Sequence, residues 1–322
     1  MPDATALPSP PRPAHFGDAL VERVRALGHP LCVGIDPHLA LVPEPFRRGA
    51  MSPDDPATAD AVEVLCNALV DRVAGRVAVV KPQVAFFEQL GWRGVRALER
   101  VVARARAAGL LVLVDAKRGD IGSTAEGYAA AYFGARAPVR ADALTVSPYL
   151  GLDTLAPFLD AARASGAGVF VLVKTSNPGS GDVQDLAVAG EPVFVRLASA
   201  LAPACDAMAG PATGWSSLGV VAGATHPEQH EAIRKQLPRA LFLVPGYGAQ
   251  GASARDAVRG FVRGPSGVLE GGVVASSRAI AFPSAGASAS AAGWERAVDD
   301  ALARAIDELG DAVARRGAGA AG

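Results

Sequence analysis

Three charged residues, Asp115, Lys117 and Asp120, close an apolar segment of the chain (110–120, LLVLVDAKRGD). A run of branched apolar residues of this length predicts a strand buried on both faces. Because side chains alternate along a strand, Asp115 and Lys117 share one face, and Asp120 falls in the turn beyond. Charges at the end of a buried strand are costly unless they are paired. Taken alone, the spacing indicates a structural ion pair; beside further cations, it could hold charge for catalysis.

Polar and charged residues also follow several other apolar segments. These residues are Asp36, Lys81, Lys174, Thr175, Ser176, Asn177, Gln250, Ser276, Ser277 and Arg278. In a parallel barrel, the carboxyl ends of the strands meet at one mouth, where such folds carry their chemistry. Charges at several strand ends therefore converge, which predicts an active site rather than a set of separate ion pairs.

Apolar segments alternate with helical ones along the whole chain. The predicted strands cover 31–37, 77–83, 143–151, 218–225, 240–251 and 272–280, with two more beginning at 110 and 168. The predicted helices cover 16–27, 57–73, 86–107, 123–133, 152–164, 192–209, 227–236 and 291–315. Strict alternation implies a parallel sheet, and the number of strands favours a closed (β/α)8 barrel, an α/β fold, over an open doubly wound sheet.

No break in composition divides the 322 residues into two domains. We expect a proline-rich, disordered lead-in at 1–15, one barrel domain at 16–315 and a flexible tail at 316–322.

Overall charge and cysteine content limit the partners and the compartment. The formal net charge is −1, without a long basic run, which gives no support to a nucleic-acid or anionic-membrane surface. No stretch has the length and apolarity of a membrane span. Cys32 and Cys66 lie in apolar segments and are predicted to be buried thiols. With Cys205 they are too sparse for a disulfide framework, which favours a reducing, cytoplasmic compartment.

A G-x-G-x-x-G spacing at Gly246, Gly248 and Gly251 follows the seventh predicted strand. It lies too late in the chain to open a dinucleotide-binding half, which needs several further strands. Loops after the seventh and eighth strands of a barrel are the common phosphate site. We therefore favour a phosphate cradle with Gln250 and Arg278 as side-chain donors, and a purely structural turn is the alternative.

The histidines give weaker signals. His226 and His230 lack the glutamate directly after the first histidine that a zinc-binding H-E-x-x-H needs, and we interpret them as an exposed helix start. His38 could line the mouth or satisfy a loop. No set of His, Cys and carboxylate residues has metal-ligand spacing.

An alternating array of Lys81, Asp115, Lys117 and Asp120 would keep both lysines charged, since opposite charges favour the ionised form. A cationic lysine can donate a proton and stabilise developing negative charge. The Asp115 carboxylate would crowd an anionic group of a bound substrate. Without a metal or cofactor motif, these residues favour decarboxylation of a phosphorylated substrate through a carbanion that is then protonated.

Short motifs that occur in order along the chain match a known family. They are V-G-I-D-P (33–37), V-K-P (80–82), D-A-K-R-G-D-I (115–121), T-S-N-P (175–178), P-G-Y-G-A-Q-G (245–251) and S-S-R (276–278). With these motifs the chain resembles the orotidine 5′-phosphate decarboxylase family, and within it the longer bacterial (type 2) form. The D-x-K-x-x-D element alone is shared with related barrels, whereas the full set is specific.

The resemblance implies a homodimer with shared active sites that converts orotidine 5′-monophosphate to uridine 5′-monophosphate and CO2, the last step of UMP biosynthesis, without a cofactor. It implies that Lys117 protonates C6 of the pyrimidine and that Asp115 faces the departing carboxylate. It assigns Lys81 and Asp36 to the ribose hydroxyls, and Asp120 to the site of the neighbouring subunit. The further contacts that it implies are Ser176 to the pyrimidine, Gln250 and Arg278 to the phosphate, and Pro245 and Gly248 to the substrate.

Two other functions stay open at this point. One is a related barrel acting on a sugar phosphate, such as a ketose-phosphate decarboxylase or a hexulose-phosphate synthase. Such a site resembles a metal-dependent version and would want an acidic ligand where Lys81 stands. The other is a non-catalytic nucleotide-binding barrel, which has no need of the array formed by Lys81, Asp115, Lys117 and Asp120.

Overall fold

Eight parallel strands close into a barrel in which each strand pairs with the barrel strands before and after it, and the first pairs with the last. The computed structural model describes residues 11–248, 251–283 and 290–315. Taken in chain order as strands one to eight, the barrel strands are Leu31–Ile35, Val79–Pro82, Leu111–Arg118, Ala143–Val146, Gly168–Lys174, Leu218–Ala222, Phe242–Val244 and Gly272–Ser276. This architecture confirms the predicted (β/α)8 barrel.

Helices connect successive strands around the barrel, and one further long helix precedes the first strand and another follows the last. The longer ones are Phe16–Leu27, Pro56–Val73, Gly91–Ala107, Gly122–Phe133, Ala156–Ser165, Val193–Ala207, Pro227–Gln236 and Ala291–Arg315. Shorter helical turns lie at Leu39–Leu41, Glu44–Phe46, Ala85–Glu88, Leu152–Leu155, Pro178–Ser180, Gly181–Gln184, Ala254–Ala257 and Arg278–Ala281. Two antiparallel hairpins pair Ala187–Val188 with Glu191–Pro192 and Val262–Arg263 with Leu269–Glu270.

Branched and aromatic residues bury both faces of the barrel strands. Val112 and its outward-facing equivalents pack under the helices, whereas Leu113 and Phe170 fill the barrel interior. All three side chains are 0% exposed. Burial of one large apolar side chain contributes about 1.5–3 kcal/mol. Because both faces of each strand are buried, the strands appear in the sequence as nearly continuous apolar runs.

The helix Phe16–Leu27 closes the amino-terminal end of the barrel. Phe16 is fully buried, and its ring meets that of Phe170 edge-on at 6.0 Å between centroids. A Cβ on Gly168, the first residue of strand five, would lie 2.5 Å from the Phe16 ring, so this close approach requires glycine. The opposite end of the barrel is left open.

Residues 11–15 pack on the barrel and differ from the disordered lead-in expected at 1–15. Arg12 donates to the carbonyls of Tyr132, Phe133 and Ala141 at 2.7, 3.0 and 2.8 Å. His15 Nδ1 accepts the backbone N–H of Asp18 at 3.1 Å and so caps the first helix. Residues 1–10 and the predicted tail 316–322 lie outside the described residues, and the division into lead-in, domain and tail otherwise stays a prediction.

The predicted helix 86–107 is in fact two helices, Ala85–Glu88 and Gly91–Ala107. Gly91, the first residue of the second helix, has a φ of 61°, a left-handed conformation that a residue without Cβ adopts at little cost. The continuous apolar spacing concealed this break.

The predicted burial of Cys32 and Cys66 is confirmed, and Cys205 is also a buried free thiol. His230, by contrast, is 0% exposed, so its assignment to an exposed helix start is wrong. Its Nε2 lies 2.9 Å from the carbonyl oxygen of Gly223, and burial lowers the pKa of this imidazole. No helix within the described ranges is long and apolar enough to cross a membrane.

Candidate active site

Asp115 lies at the centre of a chain of charges at the carboxyl ends of strands one to three. Its Oδ2 lies 3.1 Å from Lys81 Nζ, and its Oδ1 lies 2.7 Å from Lys117 Nζ. Lys81 Nζ also lies 3.9 Å from Asp36 Oδ1. The structure thus brings together four of the residues that the sequence singled out, in the order Asp36, Lys81, Asp115 and Lys117.

Burial and pairing oppose each other at Asp115 and Lys81. Burial alone would raise the pKa of Asp115, but Lys81 and Lys117 together hold that pKa well below its usual range. Burial alone would lower the pKa of Lys81, but Asp115 and Asp36 raise it above its usual range. Both groups are therefore ionised at neutral pH.

Two uncharged side chains complete the hydrogen bonding of Asp115. Gln83 donates to Oδ2 at 2.8 Å, and the Thr145 hydroxyl donates to Oδ1 at 2.8 Å. Sequence reasoning missed both residues, although signals existed: Gln83 stands two positions after Lys81, and Thr145 is the single polar residue of strand four. With both lysines, Asp115 receives four donors and is fixed in place.

The Lys117 backbone adopts a left-handed conformation with a φ of 47°. A residue with a Cβ in such a region costs of order 1–3 kcal/mol, and such strain concentrates at functional sites. The register of strand three against strand four shifts between Val114 and Arg118, so regular strand geometry ends at this point. The Lys117 side chain remains 46% exposed while its amine rests on the buried Asp115.

A cavity of about 430 Å3 opens directly over these charges. Asp36, Lys81, Gln83, Asp115 and Lys117 line its charged side. Apolar side chains from strands five to eight also line it, namely Leu172, Val221, Leu243 and Ala275. A charged array beside an apolar wall strengthens electrostatic interactions with a bound ligand, because water is partly excluded.

Asp36 Oδ1 is buried and has no hydrogen-bond partner among the described residues. A buried acceptor without a donor is costly, and this carboxylate lines the cavity, so a ligand hydroxyl could satisfy it. Ser176 lines the same cavity from the loop after strand five. Its backbone packs on Gly223, where an added Cβ would come within 2.8 Å of Ser176 Cα.

The loops after strands seven and eight contribute Pro245, Gly246, Ser277 and Arg278 to the cavity lining. Arg278 is exposed and begins the short helix Arg278–Ala281. Its guanidinium supplies a positive charge and several donors, which suits a phosphate group. These contributions agree with the phosphate cradle expected at this position of a barrel.

Other residues of the predicted cradle are placed differently. Gly248 lines a separate cavity between the loop after strand seven and the helix Ala291–Arg315. Gln250 lies outside the described residues. Tyr247 lines both cavities, and its hydroxyl donates to Glu308 Oε2 at 2.6 Å, which fastens the loop to that helix.

Two predicted charges do not join the array. Asp120 does not line the cavity of its own subunit; its Oδ1 accepts the backbone N–H of Ile121 at 2.8 Å. Lys174 was expected at the mouth, and this is wrong. Its amine bonds both oxygens of Asp185 at 2.7 and 2.8 Å, because the loop after strand five folds back over it.

The fold and the site together define a (β/α)8-barrel protein with a charged, phosphate-compatible mouth. The sequence matches the orotidine 5′-phosphate decarboxylase / HUMPS family over residues 29–290. An orotidine 5′-phosphate decarboxylase of Rhodopirellula baltica is 45% identical over 271 residues, 83% of this chain and 88% of that protein. One of Halorubrum lacusprofundi is 40% identical over 304 residues, 93% of this chain and 96% of that protein.

The solved structure of Leishmania donovani OMP decarboxylase superimposes with a TM-score of 0.70 at 31% identity, covering 92% of this chain and 98% of that one. The chain belongs to the orotidine 5′-phosphate decarboxylase / HUMPS family. The resemblance seen in the sequence motifs is therefore confirmed. The sugar-phosphate alternative is not favoured, because both of these relatives carry the decarboxylase name. In addition, strand two presents Lys81, whereas a metal-dependent site of that kind would want an acidic ligand there.

Proposed function

We propose that this protein is a carboxy-lyase that converts orotidine 5′-monophosphate to uridine 5′-monophosphate and CO2, the last step of UMP biosynthesis. The observation that carries the proposal is the ionised Asp115 held between Lys81 and Lys117 at the base of the cavity. The family and its decarboxylase relatives support the same reaction.

The roles of the array follow from its charges. The carboxylate of the substrate, placed beside Asp115, would meet a fixed negative charge, and loss of CO2 removes that repulsion. The C6–carboxylate bond breaks, and its electron pair stays on C6 beside the Lys117 ammonium. Lys117 then donates a proton to C6 and recovers one from solvent. Lys81 stays cationic and keeps Asp115 ionised throughout.

Binding of the remote parts of the nucleotide would position the reacting carbon. Asp36, with its unsatisfied oxygen, and Lys81 are assigned to the ribose hydroxyls. Ser176 is assigned to the pyrimidine, and Arg278 to the phosphate. Gln250 is also assigned to the phosphate, and Pro245 and Gly248 are proposed to contribute backbone to the loop around it. Binding energy from the phosphate can then offset the cost of holding two carboxylates together.

The reaction can be followed as the loss of absorbance of the substrate pyrimidine. We expect turnover with a chelator present. Absence of turnover by the purified protein, or turnover only after Mg2+ is added, would refute the proposed reaction.

We also propose that the protein works in the cytoplasm, which the three buried free thiols support. The net charge of −1 supports a substrate other than nucleic acid.

We further propose a homodimer in which Asp120 completes the site of the partner subunit. The loops after strands three and four lie together, since Ser147 donates its backbone N–H to the Arg118 carbonyl at 2.7 Å. Beside Asp120 they expose two large apolar side chains, Ile121 at 62% and Tyr149 at 83%. Burial of such residues against a second copy would bring the Asp120 loop to the partner's cavity.

Mixed dimers test this arrangement. Lys117→Ala and Asp120→Ala homodimers are both expected to be inactive, yet their heterodimer contains one site with both residues intact. Random pairing should therefore restore about a quarter of wild-type activity in a two-fold dimer. The matched control pairs Lys117→Ala with Lys81→Ala, which belong to one subunit's site and should give no recovery. No recovery with Asp120→Ala would place this residue outside the partner's site.

A further inference from the structure

Thr145 on strand four bridges the two central members of the array. Its side chain is 1% exposed. Its Oγ1 lies 2.9 Å from the backbone nitrogen of Lys117 and 2.8 Å from Asp115 Oδ1. Thr145 does not line the cavity, so it has no direct access to a ligand there.

The direction of both hydrogen bonds is fixed by chemistry. The backbone N–H of Lys117 can only donate, so the Thr145 oxygen accepts it. The ionised carboxylate of Asp115 can only accept, so the single hydroxyl proton of Thr145 is donated to it. One hydroxyl group therefore orients the carboxylate and, at the same time, holds the neighbouring lysine by its backbone.

The backbone that Thr145 holds is the left-handed one. Lys117 has a φ of 47°, and the pairing between strands three and four is interrupted between Val114 and Arg118. Within this interruption, the side chain of Thr145 replaces a backbone carbonyl as the acceptor for Lys117. Strained conformations persist only where surrounding contacts over-determine them, and this hydrogen bond is such a contact.

We propose that Thr145 is a positioning residue for decarboxylation, which fixes the Lys117 amine and the Asp115 carboxylate in the relative placement that proton transfer to the substrate needs. The assignment rests on the proposed function. It differs from a purely structural role, because the hydroxyl acts on the chemical step and not on ligand binding.

Thr145→Val removes the hydroxyl at nearly constant volume. We expect its kcat to fall by about tenfold to a hundredfold, the effect of losing hydrogen bonds to a charged group, with KM within about threefold of wild type. Thr145→Ser retains the hydroxyl and should restore kcat. The matched control is Thr58→Val, because Thr58 is also fully buried but its hydroxyl has no partner among the described residues.

The outcomes separate the two proposals. A wild-type protein without turnover would refute the decarboxylase function itself. An active wild type with an undiminished kcat in Thr145→Val would refute the positioning role alone. If Thr145→Val does not fold, Thr145→Ala and Thr145→Ser are compared, since both lack the methyl group and differ only in the hydroxyl. Equal kcat values in that pair, or a loss confined to KM, would likewise overturn the assignment.

Discussion

Two substitutions of Lys117 separate its side chain from its strained backbone. Lys117→Ala removes the amine but keeps a Cβ at a φ of 47°. Lys117→Gly removes both the amine and the steric cost. A left-handed residue with a Cβ costs about 1–2 kcal/mol. The greater freedom of glycine in the unfolded chain lowers the unfolding free energy of Lys117→Gly by about 0.5–1 kcal/mol and so offsets part of this difference. We therefore expect Lys117→Gly to exceed Lys117→Ala by about 0.5–1 kcal/mol in unfolding free energy.

Urea unfolding of the two variants measures this difference as a shift in midpoint at equal slope. The ion pair with Asp115 is lost in both variants and cancels. Gly75 provides the reference, because it has a φ of 72° and nothing lies within 4 Å of an added Cβ. Gly75→Ala should therefore lower the unfolding free energy by about as much as the two Lys117 variants differ. A destabilised Gly75→Ala together with equally stable Lys117 variants would show that Lys117 is not strained. Turnover in either Lys117 variant within about tenfold of wild type would contradict the proton-donor role, since general acids contribute ~10²–10⁴.

Arg278→Ala should raise KM about tenfold to a hundredfold through lost charge-assisted hydrogen bonds, yet leave turnover of the nucleoside orotidine unchanged; an equal effect on both substrates would remove Arg278 from the phosphate site. Asp185→Asn should cost about 3 kcal/mol because it leaves a fully buried amine without its partner charge, and Lys174→Met should cost less because Asp185 is 39% exposed; the reverse order in urea unfolding would contradict this pairing argument. Although burial opposes it, pairing with Lys81 and Lys117 lowers the pKa of Asp115, so its contribution to stability is present above about pH 4 and lost as the pH falls further. The stability difference between wild type and Asp115→Asn should accordingly shrink below about pH 4, and a pH-independent difference would contradict the charge assignment.

The barrel and the location of its site could be predicted from local sequence patterns. Apolar strands buried on both faces leave a strong signal, and polar residues directly after them mark the open end of a parallel barrel. Asp36 directly follows strand one, whereas Lys81 and Asp115 lie in the carboxyl-terminal halves of strands two and three, so a strand fixes the position of each. Their placement needed no knowledge of the loops.

Residues whose environment comes from distant parts of the chain could not be predicted in the same way. Lys174 also ends a strand, but its partner Asp185 stands 11 positions later in an irregular loop. His230 stands in a polar helix, yet its side chain is buried and packs against Phe242 of strand seven, at 5.9 Å between ring centroids. Thr145 is one polar residue in an apolar strand, and only the register of strands three and four brings it to Asp115. The period of a sequence shows which face a residue occupies, and not what lies across from it.

At the end of strand three, the left-handed backbone of Lys117 coincides with its ion pair to Asp115. The geometry of a regular strand does not explain why the two occur together. In a regular strand, residues two apart lie about 6.6 Å from each other and both extend away from the sheet. A lysine is long enough to reach the carboxylate from such a position, so contact with Asp115 alone does not require the left-handed Lys117. At the left-handed Lys117 the side chain is 46% exposed, whereas the Asp115 side chain is 9% exposed. Both side chains line the cavity, so a ligand there can contact the half-exposed amine as well as the buried carboxylate. Under the proposed proton-donor role, an amine accessible from the cavity would reach the substrate carbon, which gives a reason for retaining the local strain.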